Sequence, residues 1–552
     1  MTDIEIPFEQ ERHAHYRFFE ILPGVLSWLL LLAPIFLSFI NITAAVVFIL
    51  AYLLIYFVRS VGFSIDGLKG YHSMKKHLKE NWQELLDDVE KRSIDQQDLA
   101  RRPKWHVRNM ERLKASENHF LPSQLMHAVI IATVNENREV LEPTIKSIVD
   151  GLQDNKKVIL VLAYEGRAGE EAEKRVTALV SDYREYFYDA FAVKHPPKVP
   201  GEIIGKGSNI SCAGRKLKEY LAEKQIDPKN VIVTTLDADN RPDKRYFLAV
   251  SYAFCVVSDP IKASFQPLPM FTNNIWDAPT MMRVIATGNT LFYIVGTTRP
   301  HRVRNFSSHA QSMQALIEMN FWSTRTVVED GHHFWRSYFH FDGNYQVYSI
   351  SVPIYQDAVL ADGYFKTIRA QFIQLRRWTY GASDVAYVAD KGFFNKNKIP
   401  KTDLIAKFLN LLEGHVTWAT GTILVFGAAF IPPLISPQSF AANEIPLIVS
   451  RIQKIGLIGL LASVYVCLVT LPPRPSRVRR HRSVLMVLQW VLAPFTGVAF
   501  GSLAAFNSQT RLIFKRYLNK FDVTEKAVVT GKHTMISSEA DPEHKSPLNK
   551  PA

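Results

Sequence analysis

Between Arg17 and Arg59 the chain runs 41 residues, 18–58, without a Lys or Arg and with one acid, Glu20. A helix needs about 20 apolar residues to cross the hydrocarbon core of a bilayer, so this run is long enough for two crossings. In lipid every backbone polar group must find its partner within the chain, which predicts a helical hairpin, 21–39 and 42–58, turning near Asn41. An acidic head (Asp3, Glu5, Glu9, Glu11) precedes the run, which is too long for a secretory signal core and has no small-residue cleavage site after it. It is therefore expected to stay as an anchor.

The rest of the chain is not uniformly apolar. Residues 63–123 are charged and helix-prone, a connector following the hairpin of 1–62. From 124 to 398 short Val/Ile/Leu/Thr runs, HAVIIATV, KVILVLAY and NVIVTTLDAD, alternate with amphipathic stretches. That alternation predicts an α/β domain with a mainly parallel, buried sheet, whose ligands bind at the carboxyl ends of the strands. Residues 399–507 turn apolar again, with spans expected at 415–435 and 455–471. The stretch 483–506 carries Pro494 midway and is expected to lie in the interface or dip and return. A basic segment, 508–552, ends the chain.

Only 21% of the residues are charged, which excludes a largely disordered chain. The net charge of +13 suggests nucleic acid at first sight, but much of it lies beside apolar runs, as in Arg474, Arg477, Arg479, Arg480 and Arg482. Juxtamembrane arginines mark a cytoplasmic face and contact lipid headgroups, so no nucleic-acid partner is expected. Three cysteines without a C-x-x-C pair argue against a disulfide framework or a thiolate metal site.

The chemistry is sought where the apolar runs end. The third closes in Asp237 and Asp239, two carboxylates able to hold a hard cation whose shell is completed by phosphate oxygens. The first ends at Thr133, with Glu136 just beyond, and the second at Glu165, followed by Arg167; Glu136 could equally cap the next helix. Lys206 and Asn209 lie in and after a glycine-flanked loop that lacks the full P-loop spacing. Glu329 and Asp330 offer a general base toward a hydroxyl nucleophile. His332 and His333 are adjacent rather than four apart, and are read as packing rather than metal ligands. Gln374, Arg377 and Trp378 place a cation beside an aromatic platform.

In their order these residues resemble the membrane-embedded family 2 glycosyltransferases of the cellulose synthase, chitin synthase and hyaluronan synthase type. The likeness runs through T-x-N-E (133–136), Glu165, G-K-x-x-N (205–209), D-x-D (237–239), E-D (329–330), Q-x-x-R-W (374–378) and F-x-V-T-x-K (521–526). It departs at Glu165, where the family usually has Asp, and at Val134 and Val328, where it usually has an aromatic residue and Thr. The resemblance implies a GT-A-type nucleotide-binding domain inserted between transmembrane helices, and an inverting transferase that extends a β-linked polysaccharide from a UDP-sugar. It implies Asp330 as base with Glu329 beside it, Asp237 and Asp239 as ligands of Mg²⁺ or Mn²⁺, and Glu165 on the uridine. Thr133, Glu136, Asn209 and Asp237 would also contact the donor, and Lys206 its diphosphate. Gln374, Arg377 and Trp378 would bind the diphosphate and acceptor end. Val523, Thr524 and Lys526 would close over the nucleotide as a gating loop.

The implied partners are the nucleotide-sugar, a growing glycan or glycolipid acceptor, membrane lipids and secretion proteins. The implied place is a plasma or inner membrane with the domain in the cytoplasm. Single-sugar transfer to a lipid is the alternative; a nucleotide-binding membrane protein without turnover and a solute transporter are weaker rivals.

Overall fold

The computed structural model describes residues 4–151, 155–521, 527–530 and 533–536, and structural statements concern these alone. Eight strands form one sheet in the order β3-β2-β1-β4-β7-β6-β8-β5. They are β1 (Met126–Thr133), β2 (Val158–Glu165), β3 (Asp189–His195), β4 (Val231–Asp237), β5 (Arg241–Pro242), β6 (Ala263–Phe271), β7 (Ala310–Ser312) and β8 (Gln346–Gln356). β1 pairs in parallel with β2 and β4, β2 with β3, and β6 with β8, while β7 and β5 join antiparallel. The expected α/β domain with a mainly parallel sheet, set between apolar helices, is therefore what the chain forms.

The three runs singled out in the sequence are β1, β2 and β4. They are apolar throughout because both faces are covered. Val129 and Ile131 face a core with Leu141, Ile145 and Phe254, whereas Ala128 and Ile130 face one with Ile210, Leu217 and Trp322. In the connector, Trp82, Leu85, Leu86 and Val89 recur at helical spacing along Trp82–Lys91 and are buried against that first core.

Five helical stretches are long and apolar enough to cross a membrane by length and composition: Ala14–Ile40, Ile42–His77, Lys401–Ile435, Phe440–Val469 and His481–Ile513. The second outruns the apolar segment that predicted it. Past Arg59 it continues to His77, burying Ser64 against Phe440–Val469 and Gly67, Gly70 and Met74 against the domain. A Cβ at Gly70 would come within 2.2 Å of the Ile294 carbonyl oxygen, so only glycine lets the two backbones approach this closely. The 62/63 boundary drawn from the sequence therefore falls inside a helix. Residues 483–506 lie in a helical path that passes through 3₁₀ and π turns around Pro494.

Glu20, the lone acid of the long run, is buried at its start. Arg12 donates to it at 2.8 Å, Tyr517 at 2.9 Å, and Arg17 closes the cluster. Three donors offset the desolvation of one carboxylate.

Candidate active site

Parallel register brings the polar ends of the buried strands to one edge. Thr133 lies beside Tyr164, Ala132 beside Asp237, and Glu165 beside His195. A cavity of about 840 Å³ opens there, lined by Thr133, Glu136, Glu165, Lys206, Asn209, Asp237, Asp239, Glu329, Asp330, Gln374, Arg377 and Trp378. The same cavity continues to Tyr56, Phe63, Thr417 and Trp418, on two of the membrane-capable helices.

Lys206 opens the helix Lys206–Glu223, its ammonium buried and 2.6 Å from Asp237 Oδ1. Ser307 completes a triangle, accepting from Lys206 at 3.1 Å and donating to Asp237 Oδ2 at 2.5 Å. Burial opposes the charge on Lys206, yet Asp237, Glu329 and Asp330 outweigh it and raise its pKa. Asp239 accepts from the Asp357 amide at 3.0 Å. Glu329 and Asp330 form the first turn of the helix Glu329–His340. Burial, then the neighbouring Asp330, push the Glu329 carboxyl up to about 7, and its Oε2 is buried without a hydrogen-bond partner. Asp330 is half-buried and accepts from the Gly331 amide at 2.7 Å.

At the end of β2, Glu165 is buried, with Arg167 at 3.3 Å and His195 at 3.7 Å from its Oε2. His195 also meets Glu202 at 3.0 Å. Burial would lower its pKa, but the two carboxylates outweigh it and raise the imidazole to about 9. Glu165 Oε1 and an Arg167 nitrogen, Nη2, stay buried and unpartnered, a donor–acceptor pair in the cavity wall.

Three of the expected binding residues have polar groups engaged within the protein, although Asn209 Oδ1 stays buried without a partner. Glu136 turns back to the end of β1, accepting from the Thr133 hydroxyl at 2.6 Å and the Val134 amide at 2.7 Å. It closes the strand rather than capping a helix. Asn209 donates to the carbonyls of Thr133 and Ala163 at 3.3 and 3.0 Å, tying β1 to β2.

The helix Tyr364–Thr379 carries Gln374, Arg377 and Trp378. Gln374 accepts from Gln371 at 3.2 Å, and Trp378 packs on Phe271 at 5.9 Å between ring centroids. Arg377 stacks on Phe521 at 3.9 Å. Phe521 is fixed by its amide, which donates to the Ile204 carbonyl at 2.9 Å, beside the Ile204–Lys520 bridge. The chain thus enters the F-x-V-T-x-K segment at the cavity, while Val523, Thr524 and Lys526 themselves lie outside the described residues.

His332 is buried against Asp384 at 2.7 Å and His333 against Gln311 at 2.5 Å. Among the described residues no group of three His, Cys, Asp or Glu is placed to hold a metal. Sequence reasoning did not find Ser307, His195, Glu202, Arg302 or Arg304. Each is a single residue in a loop or strand end with no spacing to mark it; only the alternation R-V-R at 302–304 was visible.

No family model matches the sequence, and no curated protein sequence matches it. Among solved structures the chain is similar to a mannosyltransferase from Pyrobaculum calidifontis in complex with GDP-Man and Mn²⁺. That similarity has 13% identity and a TM-score of 0.42, and covers 90% of this chain and 100% of that one. It is also similar to S. aureus TarS 1–349 in complex with UDP, at 9% identity, a TM-score of 0.34, and coverage of 76% and 98%. A third is glucosyl-3-phosphoglycerate synthase from Mycobacterium tuberculosis with Mn²⁺, UDP and phosphoglyceric acid, at 16% identity, a TM-score of 0.27, and coverage of 54% and 85%.

Proposed function

We propose that this chain is an integral membrane inverting glycosyltransferase of GT-A type that uses a UDP-sugar to extend a β-linked polysaccharide. One observation carries the reading: Asp330, the Lys206–Asp237 pair and Arg377 line a single cavity that continues between membrane-capable helices. The carboxylate of Asp330 takes the proton of an acceptor hydroxyl, whose oxygen bonds to the anomeric carbon as the bond to UDP breaks. Lys206 and Arg377 offset the charge that gathers on the departing diphosphate. Attack opposite the leaving group inverts the anomeric centre. Glu165 and Arg167, one with a free acceptor and the other with a free donor, suit the edge of a nucleobase.

A divalent cation, Mg²⁺ or Mn²⁺, fits beside this machinery. Asp237 already takes a cation in the form of the Lys206 ammonium, and two carboxylates with phosphate oxygens suit a hard ion. Asp237 and Asp239 would hold it, and it would neutralise the leaving diphosphate. The arginines of 474–482 favour the cytoplasmic side for the loop that bears them, where nucleotide-sugars are found. Lipids surround the helices in this reading, and a polymer would need secretion partners.

Single-sugar transfer to a lipid-borne acceptor is the second reading. It is favoured by Tyr56, Phe63 and Thr417, which line the membrane end of the cavity. To test both, purified protein is given a panel of UDP- and GDP-sugars with Mg²⁺ or Mn²⁺, nucleotide release is measured and the product sized. Release of UDP with a product of many sugars is expected. A product one sugar longer selects the second reading, and no release from any donor overturns the enzyme.

A further inference from the structure

The membrane end of the cavity contains a charge that the protein leaves without a counter-ion. Arg304 lines the cavity with its guanidinium 4.1 Å above the Phe334 ring and 5.2 Å from that of Trp335. Its guanidinium donates to the carbonyl of its neighbour Val303 at 3.0 Å, and among the described residues no carboxylate lies within ion-pair distance. The acid that acts on it, Asp403, is occupied by the Tyr338 hydroxyl at 2.6 Å and by Lys407. Burial pulls the Arg304 guanidinium down to about 10, still a cation at neutral pH. A desolvated charge without an ion-pair partner is costly to hold, and an anion relieves that cost.

Two residues earlier, Arg302 lines the same cavity from its exposed edge, donating to the Asn410 amide oxygen at 3.1 Å and to no carboxylate. The loop then reaches Ser307 on Asp237, so one short strap links these arginines to the reaction centre. Beyond them the wall changes character. Tyr56 and Phe63 come from Ile42–His77, Leu411 and Thr417 from Lys401–Gly427. The other charge on this side is spent, Glu413 on Arg59 and Arg299 on Asp66 at 2.8 Å.

Two arginines without carboxylate partners, followed by an apolar passage between helices, match a headgroup followed by a hydrocarbon chain. We infer that Arg302 and Arg304 bind the phosphate of a lipid-linked acceptor, whose apolar chain lies between helices Ile42–His77 and Lys401–Gly427. The phosphate serves as a handle and stays intact; Asp330 acts on a sugar hydroxyl farther along. The word acceptor rests on the transferase reading, while the phosphate site itself does not.

The test uses the full chain in detergent micelles, titrated separately with farnesyl phosphate, farnesol, inorganic phosphate and UDP, with thermal stabilisation as the readout of binding. Farnesyl phosphate is expected to bind at least tenfold more tightly than farnesol or inorganic phosphate. R304Q should weaken it by about ten- to hundredfold, the range for losing a hydrogen-bonded charge contact, without changing UDP affinity. R302Q, at an exposed position that does not threaten folding, should weaken it several-fold. Equal binding of farnesol, equally tight binding of inorganic phosphate alone, or farnesyl phosphate affinity unchanged in R302Q and R304Q would each overturn the site. Failure of UDP to bind the wild type, with farnesyl phosphate still bound, would sink the transferase reading and leave this site standing.

Discussion

The cavity has two walls that handle charge in opposite ways. On the sheet side three cations already have an anion: Lys206 has Asp237, Arg167 has Glu165, and His195 has Glu202. On the helix side Arg302 and Arg304 have neither Asp nor Glu, and rest on an amide and two aromatic rings. A self-paired wall is inexpensive to keep empty, and a ligand must persuade its groups to exchange partners. An unpaired wall stores the cost of desolvation until an anion arrives. The first arrangement suits a donor that comes and goes at every turnover. The second suits a ligand that stays.

Substitutions can separate the walls. The largest effect is expected from Asp330→Asn, which should slow transfer by about 10²–10⁴-fold, the usual contribution of a general base. UDP and farnesyl phosphate should bind as before, and nucleotide release at the wild-type rate would remove Asp330 from the mechanism.

Next comes Gly207→Ala. A Cβ there would lie 2.5 Å from the Ser323 carbonyl oxygen and 3.0 Å from the Glu329 Cβ. Overpacking of this kind costs about 1–3 kcal/mol, so a lower unfolding temperature and weaker UDP binding are expected. Full UDP affinity in this variant would show that the sheet wall does not depend on the fit between Lys206–Glu223 and Glu329.

The third test is pH. The Glu329 carboxyl in the fold, at about 7, stands above its ordinary 4.5. A raised carboxylate contributes stability fully below 4.5 and loses it as pH rises through about 7. The Glu329 contribution should therefore lower the stability of the wild type as pH rises from about 4.5 to about 7, and Glu329→Gln should flatten that slope. Identical slopes in thermal melts would refute it.

The smallest effect is expected at Phe521→Ala. Losing the stack on Arg377 should cost about 0.5–1 kcal/mol, seen as faster hydrogen exchange at the residue 521 amide. No change would mean that the amide bond to Ile204 holds the segment alone.

The half of the sheet that carries Glu165 and Asp237 was legible in the sequence. β1, β2 and β4 stand out because burial on both faces forces uninterrupted apolar runs, and parallel pairing then places Glu165 and Asp237 at their ends. β6 and β8 were harder to read. Pro267 and Pro269 interrupt the first and Pro353 the second, and the sheet absorbs them through a register shift between Pro267 and Leu268. Asp237, Asp239, Glu329, Asp330 and Arg377 could be found because their motifs fix spacing within one element. Ser307 and Arg304 could not, since their place in the cavity comes from the path of a loop across the domain. Thr133, Glu136 and Asn209 show the opposite limit: a motif names the residues, but only the fold reveals that Glu136 accepts from Thr133 and that the Asn209 amide nitrogen ties β1 to β2 while its Oδ1 has no partner.

The contact of Phe521 with Arg377 also constrains how the chain threads a membrane. Two touching points lie on the same side of any barrier, so the chain between them crosses it an even number of times. Between Arg377 and Phe521 lie three of the five candidate helices, and three is odd. If Lys401–Ile435 and Phe440–Val469 both cross, His481–Ile513 does not. Its ends reach the domain at Gln489, 2.8 Å from Arg283, and at Ser508, 3.0 Å from Thr379. The same count applies at the other end, where Phe8 lies under Arg325 at 3.7 Å, with two candidate helices between them. Four crossings satisfy both closures, whereas five satisfy the one between Phe8 and Arg325 and break the one between Arg377 and Phe521.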